Sequence, residues 1–278
     1  PREQWTEILD TVRPMFEQQT ACYRDVVRAA LAEAGIELVD YGDLSSDEGD
    51  RMRSYFEESV LPTLTPLAFD PAHPFPFISN LSLSLGVFVR HENAEDPIFT
   101  RIKVPQNRPR LVPVDDGPRY VLLEDLIEAH LDVLMPNVEV LDAALFRITR
   151  NAEVRRDQEV AEDLIEAIEE VIEQRRFATA VRLEISADAP DEMVGLLREQ
   201  LDLAPEEVFR RAGPLDYRDF QTLADLDRPE LKREPWSPLP HPRFAEGPGG
   251  EMALHGADIF DEIARDDVLL HHPYHSFD

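Results

Sequence analysis

The segment that most constrains the fold is residues 64–80, LTPLAFDPAHPFPFISN, where four prolines are interspersed with three phenylalanines. Proline fixes φ and has no backbone N–H to donate, so this segment cannot be a helix or a central strand. We expect an extended, stiff segment that is ordered by packing its aromatic rings. The next residues, LSLSLGVFV, alternate between apolar and small side chains from Leu81 to Val89. This alternation predicts a half-buried β-strand.

Four stretches resemble, in order, the polyphosphate kinases, the ATP–polyphosphate phosphotransferase family. The first runs from Tyr55 to Leu83 through the proline-rich segment, and the others are FRITRNAE at 146–153, VRLE at 181–184 and VLLHHPYHSF at 268–277. The resemblance covers most of the chain. Members of this family open with a helical domain whose motif helps to hold the nucleotide, and they close with phospholipase-D-like domains that carry a phosphorylated histidine and phosphate-gripping arginines. The resemblance implies that this chain contains neither that motif nor those domains. The chain is therefore expected to be a fragment centred on the family's second, or head, domain.

The periodicity predicts an α+β fold with a largely antiparallel sheet. Its parts are a helical N-terminal segment, a mixed helix and antiparallel-sheet head domain, and a Pro-rich linker. With the resemblance, the expected boundaries are 1–40 for the end of the helical domain, 41–227 for the head domain, 228–257 for the Pro/Gly-rich linker and 258–278 for the start of the first catalytic domain. Trp236 and Phe244 favour a docked linker.

Helical spacing of apolar residues predicts helices at 1–35, 45–62, 124–134, 157–176 and 190–201. Gly35 is a plausible C-cap of the first, and Ser45 with Glu48 has the spacing of a capping box for the second. Strands are predicted at 81–89, 99–104, 110–114, 119–123, 146–149 and 180–185, with a turn at 115–118 and a short extended connector at 36–41.

The charge is strongly acidic, with a formal value of −29 from 57 Asp and Glu against 28 Lys and Arg. Only Lys103 and Lys232 are lysines, and the carboxylates are spread along the chain. Such a surface is typical of a halophilic protein, in which salt screens the self-repulsion, and the alternative is an ordinary acidic protein. Nucleic acid is not an expected partner, and any polyphosphate-binding surface must be a local arginine cluster.

Three features of the sequence bear on the cellular compartment: its cysteine content, the length of its apolar runs and its N-terminal residues. Cys22 is the only cysteine, so no internal disulfide can form. No apolar run approaches the roughly 20 residues that span a bilayer, and no signal peptide is visible. We expect a soluble, cytoplasmic protein without a membrane-spanning segment.

Arginines at the end of the strand at 146–149 and beyond it are candidates for polyphosphate binding, because guanidinium groups bind phosphate oxygens through paired N–H donors. The candidates are Arg147, Arg150 and Arg182. Strand alternation places Arg147 and Thr149 on one face and Arg150 on the other. The alternative is that these arginines pair with the abundant carboxylates.

A second candidate is the run HHPYH at 271–275. His271, His272 and Tyr274 could line the rim of a phosphate site, and the alternatives are structural packing and, less favoured, a metal site. By the resemblance, the phosphorylated histidine lies beyond this chain, so no residue here is assigned as catalytic. Asp70 and His73 could be an acid/base pair, although a tight turn explains them more simply.

The resemblance implies a parent enzyme that reversibly transfers the terminal phosphate of ATP to polyphosphate through a phosphohistidine, with Mg²⁺. Polyphosphate and ATP or ADP would be its ligands and a homo-oligomer its assembly. The chain shows neither a glycine-rich phosphate loop nor a nucleophile elbow. Because the resemblance places the phosphorylated histidine and the phosphate-gripping arginines outside this chain, we expect this segment to be structural or dimerising and inactive alone. The alternative is a stand-alone polyphosphate-binding or dimerisation module, and an unrelated halophilic scaffold would require four coincidental motif matches.

Overall fold

The computed structural model describes residues 2–70, 73–91, 96–151, 178–239, 241 and 259–276. The helix predicted at 157–176 and Phe244 lie outside the described residues. The chain divides into two compact units, Pro1–Gln221 and Thr222–Asp278. None of the described helices is long and apolar enough to cross a membrane.

The first unit begins with the predicted N-terminal helical segment. Helix α1 spans Arg2–Ala21, π-helical turns continue it over Cys22–Val27, and α2 spans Arg28–Glu33. Gly35 ends the segment with φ of 76°, in the left-handed region that glycine adopts without steric cost. The prediction of helix up to a glycine C-cap is confirmed.

A small three-stranded sheet follows. Strand β1 (Glu37–Leu38) pairs in parallel with β6 (Arg119–Leu122), and β6 pairs antiparallel with β5 (Leu111–Pro113). The Asp115 carboxylate accepts a 2.7 Å hydrogen bond from the Gly117 amide in the intervening turn, as the sequence predicts. The single helix predicted next is instead two short ones, α4 (Leu123–Glu128) and α5 (Leu131–Leu134), broken at residues 129–130.

The second predicted helix is confirmed together with its capping box. Helix α3 spans Ser46–Tyr55, and π and 3₁₀ turns extend it through Phe56–Val60 and Leu61–Thr63. The Ser45 hydroxyl accepts from the Glu48 amide, and the Glu48 carboxylate accepts from the Ser45 amide at 2.8 Å. This reciprocal pair satisfies two amides that the first helical turn leaves without a partner.

The main sheet has six strands in the order β2-β4-β3-β7-β8-β9. Neighbouring strands are antiparallel except β8 and β9, which are parallel. This confirms an α+β fold with a largely antiparallel sheet. The strands are β2 (Leu67–Phe69), β3 (Ser84–His91), β4 (Ile98–Lys103), β7 (Val138–Arg150), β8 (Ala180–Ser186) and β9 (Val208–Arg211).

Strand β3 differs from its prediction in two respects. It begins at Ser84 because Leu81 has φ of 56° and the Ser82 hydroxyl donates to the Ser79 carbonyl, so residues 79–82 form a turn. It is also buried on both faces rather than half-buried, because β4 and β7 flank it and an apolar layer covers each side of the sheet. Small residues on one face thus reflect close packing, not contact with solvent.

The proline-rich segment lies at the edge of this sheet, as its prolines require. Among the described residues of the segment, β2 is the edge strand and pairs with β4. Phe75 stacks on Phe99 with 5.9 Å between ring centroids and meets Phe69 edge-on at 5.4 Å. The prediction that aromatic packing orders the segment is confirmed.

Helix α6 (Asp191–Gln200) covers the sheet face on which Phe99 lies. It does so through Met193 and Leu197, which are fully buried. Sequence analysis predicted this helix but missed β9 and the first half of β7, since it placed a strand only at 146–149. In the second unit, α7 spans Ile259–Arg265. Trp236 packs against Tyr274 with 5.5 Å between ring centroids, so the part of the linker that contains Trp236 is docked within its unit.

Candidate functional site

The arginine candidates on β7 and β8 surround one buried carboxylate. Arg147 and Glu184 are register partners on these neighbouring strands. Arg147 donates to the Glu184 Oε2 atom from Nη2 at 2.8 Å and from Nε at 3.0 Å. The Glu184 side chain is completely buried, so this is an internal, charge-assisted pair.

Two further arginines approach the same carboxylate. Arg182 Nη2 lies 3.5 Å from Glu184 Oε2 and donates to the Thr149 hydroxyl at 3.0 Å. Arg211, on β9, donates from Nη1 to Glu184 Oε1 at 3.1 Å. Burial lowers the pKa of Arg211 from its ordinary value, although the charge of Glu184 opposes that shift.

A second carboxylate, Asp216, completes the arrangement that we call the Glu184 cluster: Arg147, Arg182, Glu184, Arg211 and Asp216. Asp216 Oδ2 lies 3.2 Å from Arg147 Nη1, and the Arg218 side chain and amide donate to the same carboxylate. Burial raises the pKa of Asp216, but hydrogen bonds from Arg218 and the charge of Arg147 outweigh it and hold the pKa below its ordinary value. Asp216 is therefore a fixed anion at neutral pH.

The Glu184 cluster has three cations and two anions, so it carries a net positive charge inside an acidic protein. Its guanidinium groups already donate to internal oxygen atoms. A phosphate at this point would have to use the remaining N–H donors or displace Glu184. The alternative interpretation from sequence, pairing with carboxylates, thus describes the contacts of Arg147 and Arg182.

Arg150 lies apart from this cluster. Its guanidinium group donates to the carbonyl oxygens of Ile78, at 2.9 and 3.0 Å, and Ala178, at 2.6 Å. It also lies over the Phe77 ring at 4.8 Å. Arg147 belongs to the Glu184 cluster and Thr149 contacts it through Arg182, whereas Arg150 does not contact it, as strand alternation predicts. The contacts of Arg150 fasten the proline-rich segment to the end of β7.

The histidine-rich candidates lie in the second unit. His271, His272 and Tyr274 are all exposed. The His271 ring lies 4.7 Å from the Tyr274 ring, and the His271 amide donates to His275 Nδ1 at 3.1 Å. Within the described ranges, no group of three or more His, Cys, Asp or Glu side chains is arranged as a set of metal ligands.

Asp70 and His73 form the local turn that the sequence favoured. The His73 amide donates to the Asp70 carboxylate at 3.0 Å, and His73 Nδ1 lies 3.0 Å from the same oxygen. The His73 side chain is 66% exposed. This geometry explains the pair as a turn fastened by its own side chains.

Sequence analysis missed three members of the Glu184 cluster as site residues: Glu184, Arg211 and Asp216. Glu184 lies in a motif that was recognised, and its position opposite Arg147 follows once β7 and β8 are paired in register. Arg211 and Asp216 carried no local signal. Arg211 reaches the cluster through the parallel pairing of β9 with β8, which no short-range pattern indicates, and Asp216 follows β9 in the chain and reaches it through its contact with Arg147.

Comparison with known proteins gives consistent matches. Residues 47–223 match the family model described as the polyphosphate kinase middle domain. Polyphosphate kinase of Mycobacterium ulcerans is 41% identical over 287 aligned residues, covering 100% of this chain and 38% of that protein. The enzyme named polyphosphate kinase of Mycobacterium leprae is 40% identical over 292 residues, covering 100% and 39%.

A solved structure agrees with these relatives. The crystal structure of polyphosphate kinase from Porphyromonas gingivalis matches with a TM-score of 0.71 and 25% identity, covering 100% of this chain and 40% of that one. The chain thus spans about two fifths of the length of the relatives that it matches. The chain belongs to the polyphosphate kinase family, and residues 47–223 correspond to that family's middle domain.

Proposed function

We propose that this chain is the middle part of a polyphosphate kinase and that it supports catalysis by structure rather than by chemistry. The single observation that carries the proposal is the match of residues 47–223 to the middle-domain model, together with similarity over the whole chain. The full-length enzyme would reversibly transfer the terminal phosphate of ATP to polyphosphate through a phosphohistidine. That histidine would lie outside this chain.

The contacts of the Glu184 cluster support a structural role. Arg147 and Glu184 link β7 to β8, and Arg211 extends the same ion-pair network to β9. Arg211 also donates to Gln19 on α1 at 2.9 Å, which brings the N-terminal helix into the network. These contacts connect the helix to three neighbouring strands, as expected of a segment that positions other parts of an enzyme.

ATP, ADP and polyphosphate would be ligands of the full-length enzyme, and Mg²⁺ would neutralise the charge of the transferring phosphate. We assign neither the nucleotide nor the metal to residues of this chain. Arg147, Arg150, Arg182, His271, His272 and Tyr274 remain candidates for contact with phosphate. For the three arginines, that contact would have to share guanidinium groups that internal acceptors already occupy.

The assembly and the setting belong to the same proposal. The segment would contribute to a homo-oligomer, and the enzyme would work in the cytoplasm of a halophilic organism. The formal charge of −29 with two lysines supports the halophilic setting, because salt screens the repulsion that such a surface creates.

A transfer assay tests the proposal. The 278-residue chain is incubated with γ-labelled ATP, Mg²⁺ and a polyphosphate primer in KCl, with the full-length Mycobacterium ulcerans relative as the positive control. We expect label in acid-insoluble polyphosphate with the control and none with the chain. Phosphoryl transfer by the chain alone would contradict the structural role.

The alternative, a stand-alone binding or dimerisation module, makes a different prediction for the endogenous protein. A module would be inactive when isolated from its own cells, whereas a kinase of which this chain is one part would incorporate label. An antibody that precipitates the native protein therefore separates the two in the same assay.

A further inference from the structure

A cavity of about 340 Å³ lies where α1 meets β9, and its lining is rich in arginine. It contains one acidic residue, Glu17, and four arginines: Arg13, Arg24, Arg210 and Arg211. In a chain with twice as many acidic as basic residues, such a lining is a local reversal of charge. Three of these arginines pair with carboxylates (Arg24 with Asp25, Arg210 with Asp191, Arg211 with Glu184), so the attraction for an anion comes from Arg13 and from the N–H groups that those pairs leave over.

The neighbouring cavity, of about 610 Å³, has a lining of the opposite charge. It shares Arg24 and Arg211 with the smaller cavity, but five carboxylates line it: Asp40, Glu124, Asp125, Glu128 and Asp188. Arg211 thus forms part of the wall of two cavities of opposite charge. Only the smaller one presents an excess of guanidinium groups.

Three of these arginines, Arg13, Arg24 and Arg211, have guanidinium N–H groups that their hydrogen bonds within the described structure do not use. Arg13 is exposed, and the one hydrogen bond of its side chain in the described structure runs from Nη2 to the Glu206 carbonyl at 2.7 Å. The Arg24 side chain is 62% exposed and pairs with Asp25 through Nε and Nη2, which leaves Nη1. The Arg211 side chain is 4% exposed, and its buried Nε atom has no acceptor among the described residues.

Aromatic rings pack against two of these arginines, Arg13 and Arg211. The Phe16 ring lies 4.2 Å from the Arg211 guanidinium carbon and 5.4 Å from that of Arg182. Arg13 lies 5.1 Å from the Phe209 ring, which meets Phe16 edge-on at 5.5 Å. Cation–π contacts of this kind reduce the side-chain freedom that a ligand would otherwise have to remove.

We propose that this arginine-lined cavity binds a phosphate-bearing anion. Arg13 and Arg24 would donate to its oxygens from the helical side, and Arg211 would supply a buried positive charge from the opposite wall. Guanidinium groups suit this ligand because their planar N–H pairs match the spacing of phosphate oxygens. A cavity of this size is at the lower end for small-molecule sites, so it suits phosphate, pyrophosphate or the end of a polyphosphate chain.

Binding at this cavity does not depend on phosphoryl transfer, so its test leaves ATP out. Isothermal titration of the full chain with phosphate, pyrophosphate and tripolyphosphate is made at the lowest KCl concentration that preserves the folded circular dichroism spectrum. The double variant Arg13→Gln/Arg24→Gln removes two exposed lining cations. The control Arg51→Gln/Arg198→Gln makes the same charge change at two exposed arginines outside the cavity.

We expect the cavity variant to weaken the tightest of the three ligands by about tenfold or more, since charge-assisted hydrogen bonds are lost. The control should change its Kd by less than about twofold, because distant exposed charges are screened. Stronger binding of tripolyphosphate than of phosphate would identify a polyphosphate chain as the ligand. Equal binding of the three would identify a single phosphate group.

The proposal is overturned if no ligand binds, or if the cavity and control variants lose the same affinity. The single variant Arg13→Lys keeps the positive charge but removes the paired N–H donors of the guanidinium group. It provides a second test if the double variant fails to fold. An affinity unchanged by Arg13→Lys would also contradict the proposal, and a loss of several-fold would support it.

Discussion

Arg147 donates two hydrogen bonds to a single oxygen of Glu184, from Nη2 at 2.8 Å and Nε at 3.0 Å, where the Glu184 side chain is completely buried. The pair joins β7 to β8 at one register position. Arg211 donates to the other carboxylate oxygen at 3.1 Å. With Arg182 at 3.5 Å, a single buried carboxylate thus contacts arginines from three strands, which makes Glu184 the central residue of the cluster.

Replacing that carboxylate should be strongly destabilising. Glu184→Gln keeps the shape of the side chain but leaves Arg147 and Arg211 without their shared counter-charge. We expect the free energy of unfolding in urea, at fixed KCl, to fall by about 3–5 kcal/mol, the usual cost of removing one partner of a buried pair. An unchanged unfolding midpoint would show that Glu184 is not needed to balance these cations.

A surface pair supplies the control for this variant. Arg90 and Glu139 also pair across neighbouring strands, at 2.7 Å, but their side chains are 41% and 61% exposed. Glu139→Gln should cost less than about 1 kcal/mol, because exposed ion pairs contribute little. If Glu184→Gln and Glu139→Gln lowered the free energy of unfolding equally, burial would not decide the effect.

The sequence predicts those members of the cluster that a local pattern identifies, and it does not predict those brought in by contacts between distant parts of the chain. Arg147 and Arg182 belong to recognisable motifs, and alternation along β7 places Arg147 and Thr149 on the cluster side. Arg211 joins the cluster through the parallel pairing of β9 with β8, and Asp216 through a contact with Arg147 from the chain after β9. The local sequence around these two residues does not indicate either partner. Local periodicity fixes the face of a residue, whereas long-range pairing fixes its neighbours.

The same distinction explains the fold predictions. Capping at Ser45 and the left-handed Gly35 depend on a few adjacent residues, and the structure confirms them. The alternation in β3 predicted one exposed face, but Gly86 lies beneath Phe99 and Met193 in a covered sheet. A small residue is compatible with solvent or with close packing, and only the tertiary arrangement separates the two.

Gly86 gives a prediction about that close packing. A Cβ atom added there would lie 2.9 Å from Phe99 Cε2 and 3.1 Å from Met193 Sδ. Phe99 is itself stacked on Phe75, so we expect its ring to have little room to move and Gly86→Ala to lower the free energy of unfolding by about 1–3 kcal/mol.

Gly195 on α6 is the matched control. A Cβ atom there meets nothing within 4 Å, and alanine favours helix, so Gly195→Ala should stabilise the protein by about 0.5–1 kcal/mol. The two alanine variants are expected to shift urea midpoints in opposite directions. A stabilising Gly86→Ala would contradict the packing described for β3.

Asp125 gives a prediction about pH. Burial in the larger, acid-lined cavity raises its pKa to about 7, and the charges of Glu124, Glu128 and Asp40 add to that shift while Arg110 opposes it. The ordinary pKa applies in the unfolded chain, so between about pH 4 and pH 7 the folded state binds the proton more tightly. This group therefore makes the protein less stable as pH rises through that window.

Asp125→Asn removes the titration. The variant should be more stable than the parent at pH 8, by a few kcal/mol and at most about 4, because one pKa unit corresponds to about 1.4 kcal/mol. The difference should vanish near pH 4. Urea unfolding at each pH measures it, and a constant difference from pH 4 to pH 8 would contradict the raised pKa.

Salt should stabilise the folded chain. At a formal charge of −29, self-repulsion opposes the compact state, and molar KCl shortens the screening length to a few ångströms. We expect a more native circular dichroism spectrum and a higher melting temperature in about 2 M KCl than in dilute buffer. Identical spectra and melting temperatures in the two buffers would count against a halophilic surface.

The central claim, that this chain is the middle part of a polyphosphate kinase, is tested most directly by the mass of the endogenous protein. An antibody against residues 64–80 detects it on a denaturing gel, and mass spectrometry then measures the intact mass. The account predicts a mass well above 31.8 kDa, since the chain spans 38% of the relatives' length. A mature product of 31.8 kDa would contradict the claim and favour a binding or dimerisation module.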